Sequence, residues 1–446
     1  MNQSNDNQQQ TPGAEPGMSN LAKAGVAAAA ATALSQTSTA NPGGGAPTVL
    51  VQLYLRGGAD GLTLCAPVDE PNYQTRRDET RVYAEGDASA PSGRNGTNIE
   101  PMQQDGLSGA MIRTGFDLAP AFAPMKTLYD NGQLAFVHGA GSVDPTRSHF
   151  AQQANTEIGE TALSAPKLGT GWIGRYLMKA PPRGDGSLRA LGLNRFAIQS
   201  YSGGGGVIPT QEPETFMLPI GLGTGTALES IYAASTNSVQ GTLTNDLSSI
   251  SKLMSVNWGD PVPGRYPVST LGDHLWRAFQ VIRDDADIEV ISIDYDNIDG
   301  KRWDSHEEQG VFDGTLHDLM EDLAHGLTGF QEDVDTNLTG KRVVVLVYTE
   351  FGRTLKENGG RGTDHGRGGV AMVVGNEVRI PQVYTDPNLW DGLNDASLDP
   401  PNDGDQAVTV DIRDVQGEIM AQRMGVPAKR IFPDTNYTYQ SRNLLS

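Results

Sequence analysis

Carboxylate, imidazole and hydroxyl side chains recur beside the apolar stretches of this sequence. The segments that carry them are Arg56-Gly-Gly-Ala-Asp60, Thr146-Arg-Ser-His149, Asp304-Ser-His306, Thr349-Glu350 and Gly362-Thr-Asp-His365. Carboxylates and imidazoles bind divalent metal ions, and a hydroxyl becomes a useful nucleophile when a base or a metal activates it. The set therefore predicts a metal centre with a nearby nucleophile.

Alternating strands and helices must position these groups. Apolar, β-branched runs predict strands over residues 48–55, 134–137, 288–295, 342–348 and 370–374. Helical patterns cover residues 119–131, 149–160, 271–283 and 313–332. This alternation predicts an α/β fold, with a mostly parallel sheet and helices on both faces. Ligands of such sheets bind beyond the carboxyl ends of the strands, which is where most of these segments fall.

The organisation along the chain indicates one large domain. Residues 1–47 are interpreted as an export signal and disordered linker, and residues 48–436 as the domain. Within it, the Gly-rich stretch at about 200–270 is interpreted as an insertion or cap, and residues 437–446 as a C-terminal tail.

Composition excludes several classes of function. The 446 residues carry a formal net charge of −21, which repels phosphate backbones and argues against nucleic acid as a partner. The lone Cys65 excludes an intramolecular disulfide and a Cys-rich zinc site. The sequence contains no run of about 18 consecutive apolar residues, so it predicts no transmembrane helix.

The N-terminal segment has the layout of a signal peptide. Lys23 precedes a weakly apolar run from Ala24 to Leu34, and the small residues Ser38-Thr-Ala40 follow as a cleavage site. The pattern predicts export to the periplasm or cell envelope, although no twin-arginine pair precedes Leu21. The alternative is a low-complexity tail.

Five strings of this sequence resemble the recurring motifs of a bacterial family called domain of unknown function 1501. They are Leu55-Arg-Gly-Gly-Ala-Asp-Gly61, Gly171-Trp-Ile-Gly-Arg175, Asp304-Ser-His306, Thr349-Glu-Phe-Gly-Arg353 and Gly362-Thr-Asp-His-Gly366. They occur in the family's order, and with the Asp411-Ile-Arg413 segment near the end the resemblance spans residue 50 to about residue 435. Through this family the chain resembles the alkaline-phosphatase-like, or sulfatase-like, superfamily. That resemblance implies a three-layer α/β/α fold with two metal half-sites, but no particular substrate.

The resemblance also implies roles for individual residues. The implied metal ligands are Asp60, Asp304, His306, Glu350 and His365. Where the superfamily usually has an Asp-His pair, this sequence has Glu350-Phe351, so the second half-site loses a histidine. Ser148 resembles the nucleophile at the start of the helix after the second strand, with Arg147 pairing with a developing oxyanion; Thr146 is the alternative hydroxyl.

Simpler interpretations of the same residues stay open. Asp60 lies in a Gly-rich segment that is also typical of a turn, and Ser148 is also a good helix N-cap. His138 and His149 are read equally well as ordinary polar groups at a strand end. Asp364 is a candidate orienting partner of the His365 imidazole instead of a ligand.

Together these patterns predict an exported metal-dependent hydrolase of phosphate or sulfate esters. The ligand types allow Zn, Mn, Mg or Ca, and the substrate is expected to be a small-molecule or polysaccharide ester. The alternative is a non-catalytic binding protein of the cell envelope that retains the fold.

Overall fold

The protein is described by a computed structural model that covers most of the sequence after residue 45. The described residues are 46–99, 115–194, 198–216, 238–284, 287–379, 382–386, 389, 392–393 and 405–446. The predicted signal lies almost entirely outside them, so it stays a prediction.

The strands in the described residues are short to medium in length. They are β1 Thr48–Leu55, β2 Cys65–Ala66, β3 Thr97–Asn98, β4 Asp117–Leu118, β5 Leu134–Gly141, β6 Ala190–Gly192, β7 Val207–Pro209, β8 Val290–Tyr295, β9 Asn297–Ile298, β10 Lys301–Arg302, β11 Arg342–Tyr348, β12 Gly369–Val374, β13 Gln382–Tyr384 and β14 Val410–Asp411.

The helices alternate with these strands. They are α1 Gly61–Leu64, α2 Pro71–Arg76, α3 Met125–Asp130, α4 His149–Ile158, α5 Trp172–Lys179, α6 Ser238–Ser255, α7 Thr270–Arg283, α8 Thr315–Asn337, α9 Ile412–Gln422 and α10 Ala428–Ile431. Among the described residues, no helix has both the length and the apolar character needed to cross a bilayer.

Nine of the described strands form one mixed sheet, in the order β13-β5-β12-β11-β1-β8-β6-β7, with β14 pairing to β5. The pairings of β1 with β11 and β8, and of β6 with β7 and β8, are parallel. β12 runs antiparallel to both of its neighbours, β5 and β11. The carboxyl ends of β1, β5, β8 and β11 and the amino end of β12 therefore meet at the same edge of the sheet.

Both faces of the sheet are covered, as a mostly parallel sheet requires. Along β1, Val49, Val51 and Leu53 pack into one apolar core, with residues from α7 and α8. Leu50 and Tyr54 pack into a second core, with residues from α5, α9 and α10. This arrangement confirms the predicted α/β fold class, a mostly parallel sheet with helices on both faces.

The structure differs from the sequence prediction over residues 119–131, within the predicted insertion, and at the last ten residues. The predicted helix 119–131 is a 3₁₀ turn, Pro120–Phe122, followed by the separate helix α3; Pro120 and Pro124 lack the N–H groups that one continuous helix would need. Within the predicted insertion, β7 is an outer strand of the main sheet, while residues 217–237 lie outside the described part.

The last ten residues, interpreted as a tail, are bound to the domain. The buried Glu418 carboxylate accepts hydrogen bonds from the backbone N–H groups of Arg442, Asn443, Leu444 and Leu445. The side chains of Leu444 and Leu445 are buried.

Candidate metal centre

The loop between β5 and α4 carries the first group of site residues. Its shape is fixed from inside α4, because the buried Gln152 amide donates hydrogen bonds to the carbonyl groups of Asp144 and Thr146. α4 begins at His149, with Ser148 as its N-cap residue. This places His149 at the carboxyl edge of the sheet, beside the loops that follow β8 and β11.

The His149 ring contacts Glu350 through Nδ1, and its Nε2 faces His365 and Asp304. Its Nδ1 lies 2.7 Å from Glu350 Oε1. Its Nε2 lies 3.0 Å from His365 Nε2 and 3.2 Å from Asp304 Oδ2.

His365 and His306 have the same arrangement. His365 Nδ1 lies 2.9 Å from the Arg147 carbonyl oxygen, and His306 Nδ1 lies 3.1 Å from Asp364 Oδ1. The Nε2 atoms of the two rings are 3.0 Å apart, and His306 Nε2 is 3.0 Å from Asp304 Oδ1.

These contacts favour one tautomer of each ring. The partners of all three Nδ1 atoms are carboxylate or carbonyl oxygens, which only accept hydrogen bonds, whereas the Nε2 atoms face one another as well as Asp304; a neutral ring is therefore better paired with its proton on Nδ1. The Nε2 lone pairs of His149, His306 and His365 then point at one another and at Asp304. Such a set is unfavourable unless a proton or a cation lies among the lone pairs.

The geometry fits a metal ion. Ligand atoms of His149, Asp304 and His365 all lie within 4.8 Å of one another. Zinc binds imidazole nitrogen at about 2.0–2.1 Å in tetrahedral sites, which places neighbouring donors roughly 3.3 Å apart. An outer partner on each Nδ1 is also the usual arrangement of metal-binding histidines.

The electrostatics of the cluster favour positive charge. Hydrogen bonds to Asp304 and to Glu350 raise the pKa of His149 to about 9. Burial alone would raise the pKa of Asp304, but its hydrogen bonds with His149 and His365, together with the charge of Arg353, hold it far below its usual value. A proton and a metal ion therefore compete for the same lone pair on His149.

Arg353 fixes the loops around the cluster. Its buried guanidinium donates to the carbonyl groups of Gly57, Gly58 and Trp303 and, at 2.9 Å, to Asp304 Oδ1. It thereby links the loop after β1 to the loop after β8 and orients the Asp304 carboxylate.

The glycines after β1 permit close packing against these groups. Gly57 and Gly58 have positive φ angles, of 128° and 69°. A Cβ on Gly57 would lie 2.5 Å from the Asp304 backbone nitrogen, and one on Gly58 would lie 2.4 Å from the Phe351 ring. The Gly-Gly pair is therefore needed for both its backbone conformation and its close contacts.

Glu350, expected as a ligand, acts in this structure as an orienting group. Its side chain is fully buried, and Oε1 accepts hydrogen bonds from Gly57 N, His149 Nδ1 and Gln153 Nε2. Burial alone would raise the pKa of Glu350, but the hydrogen bond from His149 leads the contacts that lower it. The adjacent Phe351 ring packs against the rings of His149 and His365, with centroids 4.8 and 4.7 Å away.

Asp60, also expected as a ligand, is instead paired with an arginine. Its Oδ2 and Oδ1 lie 2.6 and 3.0 Å from the two terminal nitrogens of Arg77, and Oδ2 also accepts from Thr63. Both charged side chains have 0% exposure. A permanently charged guanidinium beside both oxygens opposes binding of a cation there.

The expected nucleophile and its arginine have different surroundings. Ser148 is exposed at the start of α4, and its hydroxyl makes no capping hydrogen bond to the described backbone. The Arg147 guanidinium forms an ion pair with the fully buried Asp405. Arg147 therefore contributes its carbonyl to His365, while its side chain is held by Asp405.

Sequence reasoning did not select His149 as a ligand candidate. The available signal was its position in Thr146-Arg-Ser-His149, directly after the second predicted strand. His138 is different, since it is fully buried and its Nε2 lies 2.9 Å from the Cys65 carbonyl. Burial lowers its pKa to about 3. Asp364 was predicted as a partner of His365 and in the structure contacts His306.

Comparisons with known proteins give a family-model match and a similar solved structure. No curated protein matches the sequence. Among solved structures, the C-terminal periplasmic domain of EcEptC from Escherichia coli, in complex with Zn, has 10% sequence identity, a TM-score of 0.32 and coverage of 75% of each chain. The family described as "Protein of unknown function (DUF1501)" matches residues 280–398, the region that contains Asp304, His306, Glu350 and His365.

Proposed function

We propose that this protein is a divalent-metal-dependent hydrolase of phosphate or sulfate esters, with the alkaline-phosphatase-like architecture that its motifs resemble. The observation that supports the proposal most is the convergence of the Nε2 atoms of His149, His306 and His365 on the Asp304 carboxylate. The expected substrate is a small-molecule or polysaccharide ester.

The metal-binding residues would be His149, Asp304 and His365, with His306 beside them. A divalent cation bound there supplies polarisation of the ester oxygen and activation of a hydroxyl group. Glu350 and the Arg147 carbonyl keep the Nδ1 protons of His149 and His365 in place, so that Nε2 is the atom each ring offers. Arg353 orients Asp304.

Ser148 is the proposed nucleophile because of its place in the chain and its free hydroxyl. It directly precedes His149, so its hydroxyl lies at the N-terminus of α4, where the first N–H groups and the helix dipole favour negative charge. A serine that served only as a cap would accept a hydrogen bond from one of those N–H groups, and this contact is missing among the described residues.

The test combines an ester panel with two serine variants. Wild-type protein supplied with Zn, Mn, Mg or Ca is assayed on phosphate and sulfate esters. Ser148→Ala is expected to lower turnover by about 1000-fold or more and to change the stability by less than about 1 kcal/mol.

Ser269→Ala is the matched control. Ser269 is the N-cap of α7 and its hydroxyl does accept a hydrogen bond, from Gly272 N. Its loss should destabilise the protein by about 1 kcal/mol and leave turnover unchanged.

Two outcomes would contradict the proposal at different points. Near-wild-type turnover in Ser148→Ala would replace Ser148 with Thr146 or water as the attacking group. No turnover by the wild type on any ester would favour the non-catalytic envelope-binding protein.

Export is proposed from the sequence pattern alone. If residues up to Ala40 form a signal, the mature protein from its native host should begin near Asn41. N-terminal sequencing that finds Met1 on an intracellular protein would contradict it.

A further inference from the structure

We infer that the centre holds a single nitrogen-preferring divalent ion of the zinc class, and that the Arg77 guanidinium takes the place beside Asp60 that a second ion would need. The inference rests on the metal-binding part of the proposed function. It goes further by giving the number of ions and their chemical class.

The first support is the closed pair of Asp60 and Arg77. Arg77 uses two nitrogens on the two Asp60 oxygens, and it also donates to the Thr63 hydroxyl and to the carbonyl groups of Leu355 and Thr354. Both side chains are fully buried. Since arginine keeps its charge at any working pH, the negative charge of Asp60 is already neutralised.

The second support is that Glu350 and Phe351, where the resemblance implies the second half-site, offer no free ligand atom for another ion. Glu350 Oε1 already receives hydrogen bonds from Gly57, His149 and Gln153, and Oε2 lies 3.0 Å from the Thr349 hydroxyl. Phe351, the next residue, packs a ring without lone pairs against His149 and His365. The residues that would build a second half-site are therefore either occupied or apolar.

The third support is the type of metal-binding atom in the open cluster, which is Asp304 with the Nε2 atoms of His149, His306 and His365. Two imidazole nitrogens and one carboxylate, with a third imidazole beside them, suit zinc and similar late first-row ions, whereas Mg²⁺ and Ca²⁺ prefer sets of oxygen atoms. Arg353 already donates to Asp304 Oδ1, so this carboxylate balances a guanidinium as well as an ion. A second divalent ion would add positive charge that this one carboxylate cannot offset.

The test is metal stoichiometry on the full chain. Metal-free protein is titrated separately with Zn²⁺, Mn²⁺, Mg²⁺ and Ca²⁺, and bound metal is measured by elemental analysis after gel filtration and by calorimetry. We expect one Zn²⁺ per chain, with Mg²⁺ and Ca²⁺ bound at least about 100-fold more weakly.

Two carboxylate variants assign the bound ion. Asp304→Asn should lose it, whereas Asp60→Asn should keep one ion per chain. Because Asp60→Asn leaves the Arg77 charge unpaired in the interior, the double variant Asp60→Asn with Arg77→Met is measured beside it and should also keep one ion.

The outcomes separate this inference from the hydrolase proposal. Two ions per chain, the second lost on changing Asp60, would overturn the inference whether or not turnover is seen. Mg²⁺ or Ca²⁺ binding as tight as Zn²⁺ would also overturn it. One bound zinc without turnover supports the inference and removes the hydrolase, and no bound metal overturns both.

Discussion

Two carboxylates at the same edge of the sheet have opposite surroundings. Asp60 follows β1, is buried, and is paired through both oxygens with Arg77. Asp304 follows β8, is 38% exposed, and faces histidine nitrogens that carry lone pairs. Arg77 pairs with both oxygens of Asp60, whereas Arg353 contacts only Oδ1 of Asp304, so the histidine nitrogens around Asp304 still favour an added cation or proton. Position at a strand end is therefore not sufficient to make a carboxylate a metal ligand.

The largest expected effect comes from changing the open cluster. Asp304→Asn removes the carboxylate that the histidine nitrogens share, and we expect metal affinity and turnover to fall by about 1000-fold or more, as for loss of a group that contacts the reacting centre. Metal binding is followed by calorimetry and turnover by the ester assay. Asp296→Asn, an exposed acid directly after β8, is the control and should behave like wild type.

The next effect comes from opening the closed pair. Asp60→Asn leaves a buried guanidinium without its counter-charge, so the free energy of unfolding should fall by about 3–5 kcal/mol. Denaturant unfolding measures this change, and metal content should stay at the wild-type level. The double variant with Arg77→Met should recover part of the stability. A stable Asp60→Asn that has lost its metal would contradict the assignment of these two clusters.

A smaller effect is expected from the group that orients the open cluster. Glu350→Gln keeps the size of the side chain but removes the charge that holds the His149 Nδ1 proton. Loss of such an outer partner commonly lowers metal affinity 10- to 100-fold. Zinc titration should therefore show weaker binding with unchanged stoichiometry. Complete loss of zinc would instead indicate that Glu350 is a direct ligand.

The smallest effect concerns a histidine outside the cluster. The pKa of His138 is lowered to about 3 by burial, against about 6.5 in an unfolded chain. The neutral ring is favoured in the folded state, so its contribution is fully present above pH 6.5 and is lost as the pH falls toward 3. At pH 5 the loss is roughly 2 kcal/mol. His138→Gln should unfold with a flatter dependence on pH between 6.5 and 4; an unchanged slope would contradict this account.

The sequence was sufficient for the fold and for the edge of the sheet where the cluster forms. Strand periodicity and parallel topology bring Asp304, His306 and His365 together without knowledge of any contact. The partners of Asp60 and Glu350 could not be predicted in this way. Arg77 lies 17 residues from Asp60 in a segment with no motif, and the direction of the Glu350 side chain depends on packing by Gly57 and Phe351.

His149 is a site residue that the sequence patterns do not distinguish from an ordinary histidine. Its residue type and its position after the predicted strand 134–137 are shared with His138, which in the structure lies within β5. What distinguishes them is three-dimensional: His138 is enclosed at 0% exposure, whereas His149 is turned by Glu350 toward His365. No sequence pattern records that difference.

The central claim is that His149, His365 and Asp304, with His306 beside them, bind a metal ion. Crystals of the zinc-loaded protein, measured above and below the zinc absorption edge, test it most directly. The account predicts one anomalous peak per chain at bonding distance, about 2.0–2.1 Å, from Nε2 of His149 and of His365. A peak beside Asp60, or no peak among these histidines when zinc is supplied in excess, would contradict it.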